Sequence, residues 1–161
     1  MKITTLIILL LSTITFAQVS ESSNLYKTLK SKDSLLFDIG FNTCDIVQFE
    51  ALVTEDLEFY HDQGGILKSK EKFLEITRNG ICKSDEFVSR RELVTGSIEV
   101  FPLYNNGELY GAIQQGMHQF YEKPKGKPEN KGSIARFTHL WLFLEGDWYL
   151  SRILSFDHVT K

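Results

Sequence analysis

Helices first and a long antiparallel sheet afterwards, an α+β fold, is what this chain predicts, and three observations carry the expectation. Apolar residues recur at helical spacing between Leu25 and Phe41. After Phe87 the pattern changes to extended segments. Two of the breaks between those segments are hairpin signals, Asn106-Gly107 and Glu145-Gly146-Asp147.

The chain has 161 residues, which suits one domain, and 42% of them are hydrophobic, enough for one packed core. The first seventeen residues read as a leader rather than as part of the fold. Lys2 precedes the apolar run Ile3 to Ile14, and Thr15-Phe16-Ala17 forms a small-x-small cleavage site. The run is too short to span a bilayer, so the expectation is a domain over 18–161, exported to the periplasm or the cell exterior, with no membrane attachment once the leader is cut. A formal net charge of −3 argues against a nucleic-acid partner, which would want a basic face.

In Leu25 to Phe41, Leu25, Leu29, Leu36 and Ile39 share one helix face, with Asp33 largely on another. A short helix is predicted over Asp45 to Val53, a strand over Leu57 to His61, and a turn over Asp62 to Gly65. Ser69 reads as the N-cap of a helix that turns Phe73, Ile76 and Thr77 inward. Strands follow over Glu92 to Tyr104, Leu109 to Glu122, Ile134 to Leu144 and Trp148 to Asp157. The lysine- and glycine-rich segment Lys123 to Ser133 reads as an exposed loop. Cys44 and Cys82 allow a single intramolecular pairing. A disulfide and two buried thiols both remain open at this point.

Strict alternation along the first hairpin puts Val94, Ile98, Val100, Ile113, Gln115, Met117 and Gln119 on one face. That face is the more apolar and is expected to meet the helices, leaving Gln114, His118 and Phe120 pointing away. In the second hairpin both faces are apolar. One carries Phe137, His139, Trp141, Phe143, Trp148, Leu154 and Phe156; the other carries Arg136, Thr138, Leu140, Ser151, Ile153, Ser155 and Asp157. A sheet apolar on both sides needs two partners, so a homodimer is expected on the outer face.

The order of elements, with "TEDLEFYHDQGG" after the first helices and "WYLSRILSFDH" at the end, resembles the nuclear-transport-factor-2-like superfamily. More closely it resembles the secreted, SnoaL-like branch called the domain-of-unknown-function 4440 family. The resemblance implies a cone: a strongly curved sheet wrapped on the helices, with a pocket inside. It says little about activity, because such folds host isomerases, cyclases, dehydratases and binding modules. Matched to ketosteroid-isomerase relatives, the general-base position falls on His61 and the proton-donor position on Thr138. The last-strand pocket positions fall on Ser151, Ile153 and Ser155. This implies that the Arg136 and Asp157 face lines the pocket, and it departs from the isomerase at both catalytic positions.

The resulting candidates are His61 as a general base with Asp157 as its proton relay, and Gln115, Gln119, Arg136, Thr138 and Ser155 as ligand contacts. Asp62, next to His61, is expected to point the other way and support the turn. His61, His118, His139 and His158 lack close ligand spacing, and by parity the last three leave the inner face, so no metal and no cofactor is expected. No serine or cysteine sits in a nucleophile elbow. The functional expectation is an exported protein binding a small, partly apolar molecule in the cone. The alternatives are an isomerase, cyclase or hydratase with His61 as base, and a dimeric interaction module with a filled cone.

Overall fold

A computed structural model describes residues 18–84 and 86–160; the expected leader, 1–17, lies outside them. The described elements are α1 (Asn24–Ser34), a π-helical continuation (Leu35–Phe41), α2 (Ile46–Leu52), β1 (Val53–His61), β2 (Gly65–Lys68), α3 (Lys70–Ile76) with a π-helical end (Thr77–Ile81), β3 (Phe87–Leu93), β4 (Glu99–Asn105), β5 (Glu108–Pro124), β6 (Asn130–Leu144) and β7 (Asp147–Thr160). The strands form one sheet in the order β2-β1-β7-β6-β5-β3, with β4 also paired to β5. Among the described residues only the β1–β7 pair is parallel. The helices pack on one face, giving the curved α+β cone.

Helix α1 starts where the Ser23 hydroxyl accepts the Tyr26 N–H and ends with Lys32 in its last turn, complementing the helix dipole. The wider π winding after Ser34 shifts the helical phase. Leu29 and Leu36 are fully buried, but Ile39, expected inside, is exposed and Gly40 faces the core instead. A Cβ at Gly40 would stand 2.9 Å from the Phe49 ring, so no larger residue fits there. Asp33, expected outside, is buried against Arg91 of β3. Ile76 is also more exposed than expected, while Phe73 and Thr77 are buried. Cys44 and Cys82 form a disulfide, with Cα atoms 5.6 Å apart, tying the loop before α2 to the end of the α3 segment.

Both hairpins close through two-residue turns whose residues have positive φ: Asn106 and Gly107 at +51° and +84°, Glu145 and Gly146 at +51° and +88°. This is the turn whose twist matches that of the flanking strands. The expected strand Glu92–Tyr104 is broken by a turn at Gly96, where φ is +74°. Strands β5 and β6 extend into the lysine-rich segment and leave only 125–129 as the connection.

Strict alternation fails at several register shifts, two of them in β1 between Val53 and Glu58 and in β6 opposite Phe120, and three bulges decide which side chains face the cone. Tyr104 pairs with Leu109 and Leu103 with Gly111, so Tyr110 is an extra residue. Beyond it β5 is inverted relative to the expectation: Ala112, Gln114 and His118 face the helices, and Gln115 and Met117 face out. Gln114 is fully buried, accepting Trp141 Nε1–H at 2.8 Å. In β7, Trp141 pairs with Leu150 and Leu140 with Arg152, so Ser151 is extra. Trp148 and Leu150 before it, and Ile153 and Ser155 after it, all turn inward. Near its end, Arg136 pairs with Phe156 and Ile134 with Val159, so Asp157 and His158 stand opposite Ala135 alone. Asp157 adopts φ +61°, and His158 swings into the cone. Each bulge adds one residue and therefore inverts every side chain beyond it. The inner face of the second hairpin is thus Phe137, His139, Trp141, Trp148 and Leu150, continued by Ile153 and Ser155. Arg136, Thr138 and Asp157, expected inside, point outward.

Candidate functional site

The cone encloses a cavity of about 280 Å³. Its floor and walls are largely aromatic, with Phe37, Phe41, Phe49, Phe59, Phe73 and Phe120 contributing. Gln63, Ile81 and Glu122, exposed members of the lining, stand at its mouth. All four histidines line it, together with Ser155. Of the expected site residues, the structure brings His61 and Ser155 to this cavity. Gln115 and Thr138 instead bond each other across the outer face at 3.4 Å. Gln119 donates to the backbone carbonyls of Phe120, Gly132 and Ser133, where it holds the β5–β6 irregularity. Arg136 stands over the Phe156 ring on the outer face, and Asp157 is exposed at its bulge.

The polar wall is assembled by the parallel β1–β7 pairing, which sets His61 beside Ser155. The Asp62 N–H then donates to the Ser155 carbonyl, carrying Asp62 along β7 to His158. The Asp62 carboxylate accepts the His158 backbone N–H at 3.2 Å and faces His158 Nδ1 at 2.6 Å. Asp62 therefore grips an imidazole rather than merely supporting its turn. Partial burial pushes its carboxyl up, but the hydrogen bonds from His158 outweigh this and hold it below the usual carboxylate range. An ionised carboxylate only accepts, so in the neutral ring Nδ1 of His158 carries the proton and Nε2 the lone pair. That lone pair faces Ser155 Oγ at 3.4 Å.

His61 stacks on His158, ring centroids 4.5 Å apart and planes 25° from parallel. Its Nδ1 accepts the N–H groups of Gln63 and Gly64 at 3.1 and 3.0 Å, so the neutral ring carries its proton on Nε2. Burial, with the neighbouring His158, lowers its affinity for a second proton, against Asp62. His61 thus presents an N–H to the cavity, and His158 presents a lone pair.

A second arm reaches the same serine from beneath. Arg91 forms a bidentate pair with Asp33 at 2.7 and 3.2 Å, both fully buried, and lies between the Phe37 and Phe137 rings. Its Nε–H donates to His118 Nδ1 at 3.3 Å, and His118 Nε2 lies 3.3 Å from Ser155 Oγ. Burial and then the Arg91 charge push His118 down to about 3. His139, deeper in the core, is lowered well below its ordinary value by burial and Arg91. Its Nδ1 is a buried polar atom with no hydrogen-bond partner.

The expectation that no metal-ligating groups converge is overturned, because His61, Asp62 and His158 place ligand atoms within 4.8 Å of one another. The bulge at Asp157 is the reason, since it reverses His158. The arrangement nevertheless fits a hydrogen-bonded dyad better than a metal centre. Imidazole lone pairs lie in the ring plane, and two near-parallel stacked rings aim them side by side rather than at one point. His61 Nδ1 is also already occupied by two backbone N–H groups.

Sequence reasoning missed His118, His158, Asp62 and the Asp33–Arg91 pair. The Asp62–His158 and Arg91–Asp33 contacts join residues 96 and 58 positions apart, so no local spacing announces them. One signal was available: aspartate is among the few residues that tolerate left-handed backbone, as Asp157 does.

No family model matches this chain, and no curated protein does. Solved structures do match in shape. The chain is similar to ActVI-ORFA from Streptomyces coelicolor, with TM-score 0.66 and 13% identity over 84% of this chain and 98% of that one. A nuclear-transport-factor-2-like protein from Cytophaga hutchinsonii superposes with TM-score 0.63 and 14% identity, over 83% and 98% of the two chains. The hexachlorocyclohexane dehydrochlorinase LinA-type3 from Novosphingobium barchaimii LL02 gives 0.62 and 13%, over 84% and 88%. At these identities the likeness concerns the fold alone, and that fold is the nuclear-transport-factor-2-like cone.

Proposed function

We propose that this cone-shaped domain is an acid–base enzyme that takes a small, mostly apolar molecule into its aromatic cavity and removes a proton from it with His158. The observation that carries the reading is the 2.6 Å contact between His158 Nδ1 and Asp62. It orients the ring, fixes the proton on Nδ1, and stabilises the imidazolium formed when Nε2 accepts a proton. The base role expected for His61 passes to His158, and His61 becomes an N–H donor beside it. The cavity volume is at the small end for ligand sites, which favours a compact substrate. Isomerisation, elimination and hydration are all served by such a base. The dehydrochlorinase among the matched structures shows that this fold hosts an enzyme.

The same proposal includes export by removal of residues 1–17 and placement in the secreted domain-of-unknown-function 4440 branch. The Cys44–Cys82 disulfide supports an oxidising compartment. It also includes a homodimer through the outer sheet face. Met117, Leu154 and Phe156 are exposed there, whereas Trp141 and Trp148, expected on that face, are core residues.

The test uses cyclohexanone, a compact apolar carbon acid, in D2O, with loss of its α-proton signal followed by NMR. Exchange above the buffer rate is expected, falling on the order of 10²- to 10⁴-fold in His158→Ala and strongly in Asp62→Asn. Binding without exchange in the native chain would sink the enzyme reading and leave a small-molecule binding module.

A further inference from the structure

The polarity of the hydrogen bonds around Ser155 is determined from both ends by groups that have no choice. Arg91 can only donate, so His118 Nδ1 must accept, and the neutral ring carries its proton on Nε2. His118 therefore donates to Ser155 Oγ. At the other end the Asp62 carboxylate can only accept, so the neutral His158 ring carries its proton on Nδ1, leaving Nε2 to accept, and the Ser155 hydroxyl donates to it. Ser155 consequently has its proton aimed at a general base, and its oxygen receives an N–H backed by a buried guanidinium. The chain of bonds cannot run backwards, because neither nitrogen of His118 is free to take a proton. A relay between the two histidines is thus excluded. A hydroxyl that loses its proton to His158 while its oxygen keeps a donor is what remains. That is the environment of an activated nucleophile.

We propose that Ser155 is a nucleophile, and that the cavity carries out acyl transfer on small apolar esters. The inference rests on the His158–Asp62 base of the preceding section and names a proton that it takes. In the first step Ser155 Oγ bonds to the ester carbonyl carbon while its proton passes to His158 Nε2. The carbonyl π electrons move onto oxygen, while His118 Nε2–H remains the donor on Oγ. Collapse breaks the carbon–oxygen bond to the leaving alcohol, which takes the proton from His158. Water then adds to the acyl carbon as the same nitrogen takes its proton, and the carbon–Oγ bond breaks as that proton returns to Ser155, releasing a carboxylic acid. Ser155 lines the cavity, so an acyl group held among the phenylalanines reaches it without unfolding.

The experiment is covalent labelling of the native, disulfide-bonded chain with diisopropyl fluorophosphate, read by intact mass and peptide mapping. The reaction forms an Oγ–P bond and releases fluoride, the hydroxyl proton going to His158. The expected result is one adduct per chain, mapped to Ser155 and absent in Ser155→Ala. The labelling rate should fall on the order of 10²- to 10⁴-fold in His158→Ala and substantially in Asp62→Asn. Mapping on the native chain locates the adduct even if Ser155→Ala fails to fold. An unlabelled native chain, an adduct elsewhere, or a rate indifferent to His158 overturns the proposal. The two readings fail separately. Cyclohexanone exchange without labelling removes the nucleophile and keeps the base, whereas labelling without exchange removes the carbon-acid reaction and keeps Ser155.

Discussion

Replacing Arg91 by methionine tests the polar arm beneath the cavity more directly than any other change. The substitution keeps most of the side-chain length but leaves the Asp33 carboxylate fully buried without its bidentate partner. Breaking a buried pair on one side costs about 3–5 kcal/mol, because the remaining charge is uncompensated. Loss of the guanidinium from between Phe37 and Phe137, at 4.2 and 5.3 Å, adds about 1–2 kcal/mol. Protonation of Asp33 limits the total, since burial already pushes that carboxyl up against the opposing pull of Arg91. The expected loss is about 3–5 kcal/mol, measured as a lower midpoint in urea unfolding at unchanged slope. The double variant Asp33→Leu with Arg91→Met should recover most of it, since a packed apolar pair can replace a buried ion pair. In that stable double variant His118 Nδ1 has lost its donor, so its proton is no longer confined to Nε2, and Ser155 labelling should slow although the fold is intact. A single variant losing under about 1 kcal/mol, or a double variant as unstable as the single, would refute this account of the pair.

Stability should fall on mild acidification. His118 and His139 are neutral in the fold, while an unfolded histidine takes a proton near pH 6.5, so below that pH the unfolded chain binds more protons. The two together should remove about 2 kcal/mol between pH 6 and pH 5, and His118→Asn should flatten that slope in urea titrations; a pH-independent midpoint would contradict it. Asp33 acts in the opposite sense, its raised carboxyl favouring the folded state as pH falls and it binds its proton. The disulfide closes a separation of 38 residues, so replacing both Cys44 and Cys82 by alanine should cost about 4 kcal/mol in thermal or urea unfolding. For the outer face, Leu154→Lys combined with Phe156→Lys should shift sedimentation velocity from dimer to monomer with little change in unfolding midpoint. A native chain that is monomeric at every concentration would end the dimer proposal.

Much of the fold could be read from the chain because its determinants are local. Asn106, Gly107 and Gly146 adopt the positive φ that such residues tolerate, and Glu145 takes it in the turn with Gly146, so both hairpins form at these breaks. Ser23 and Ser69 cap helices with their own hydroxyls, and Leu29, Leu36 and Phe73 bury themselves at helical spacing. His61 and Ser155, two positions the fold resemblance pointed to, line the cavity.

The identity of the other wall residues was decided only in three dimensions. Alternation gives the face of a strand residue only if nothing is inserted, and a single bulge reverses everything beyond it. Tyr110 reversed β5 and brought His118 inside; Ser151 reversed β7, so Ile153 and Ser155 share the inner face with Phe137 and His139 while Arg136 and Thr138 stay outside. Asp157 reversed the strand end and exchanged itself for His158. Those bulges accompany the bending of a long sheet around its helices, which depends on every strand at once rather than on any window of residues. The Asp62–His158 dyad and the Arg91 arm meet at Ser155 through strand pairings of distant segments. The chain by itself therefore determined most of the elements and both hairpin turns, and the curvature of the sheet determined which side chains face one another across the cavity.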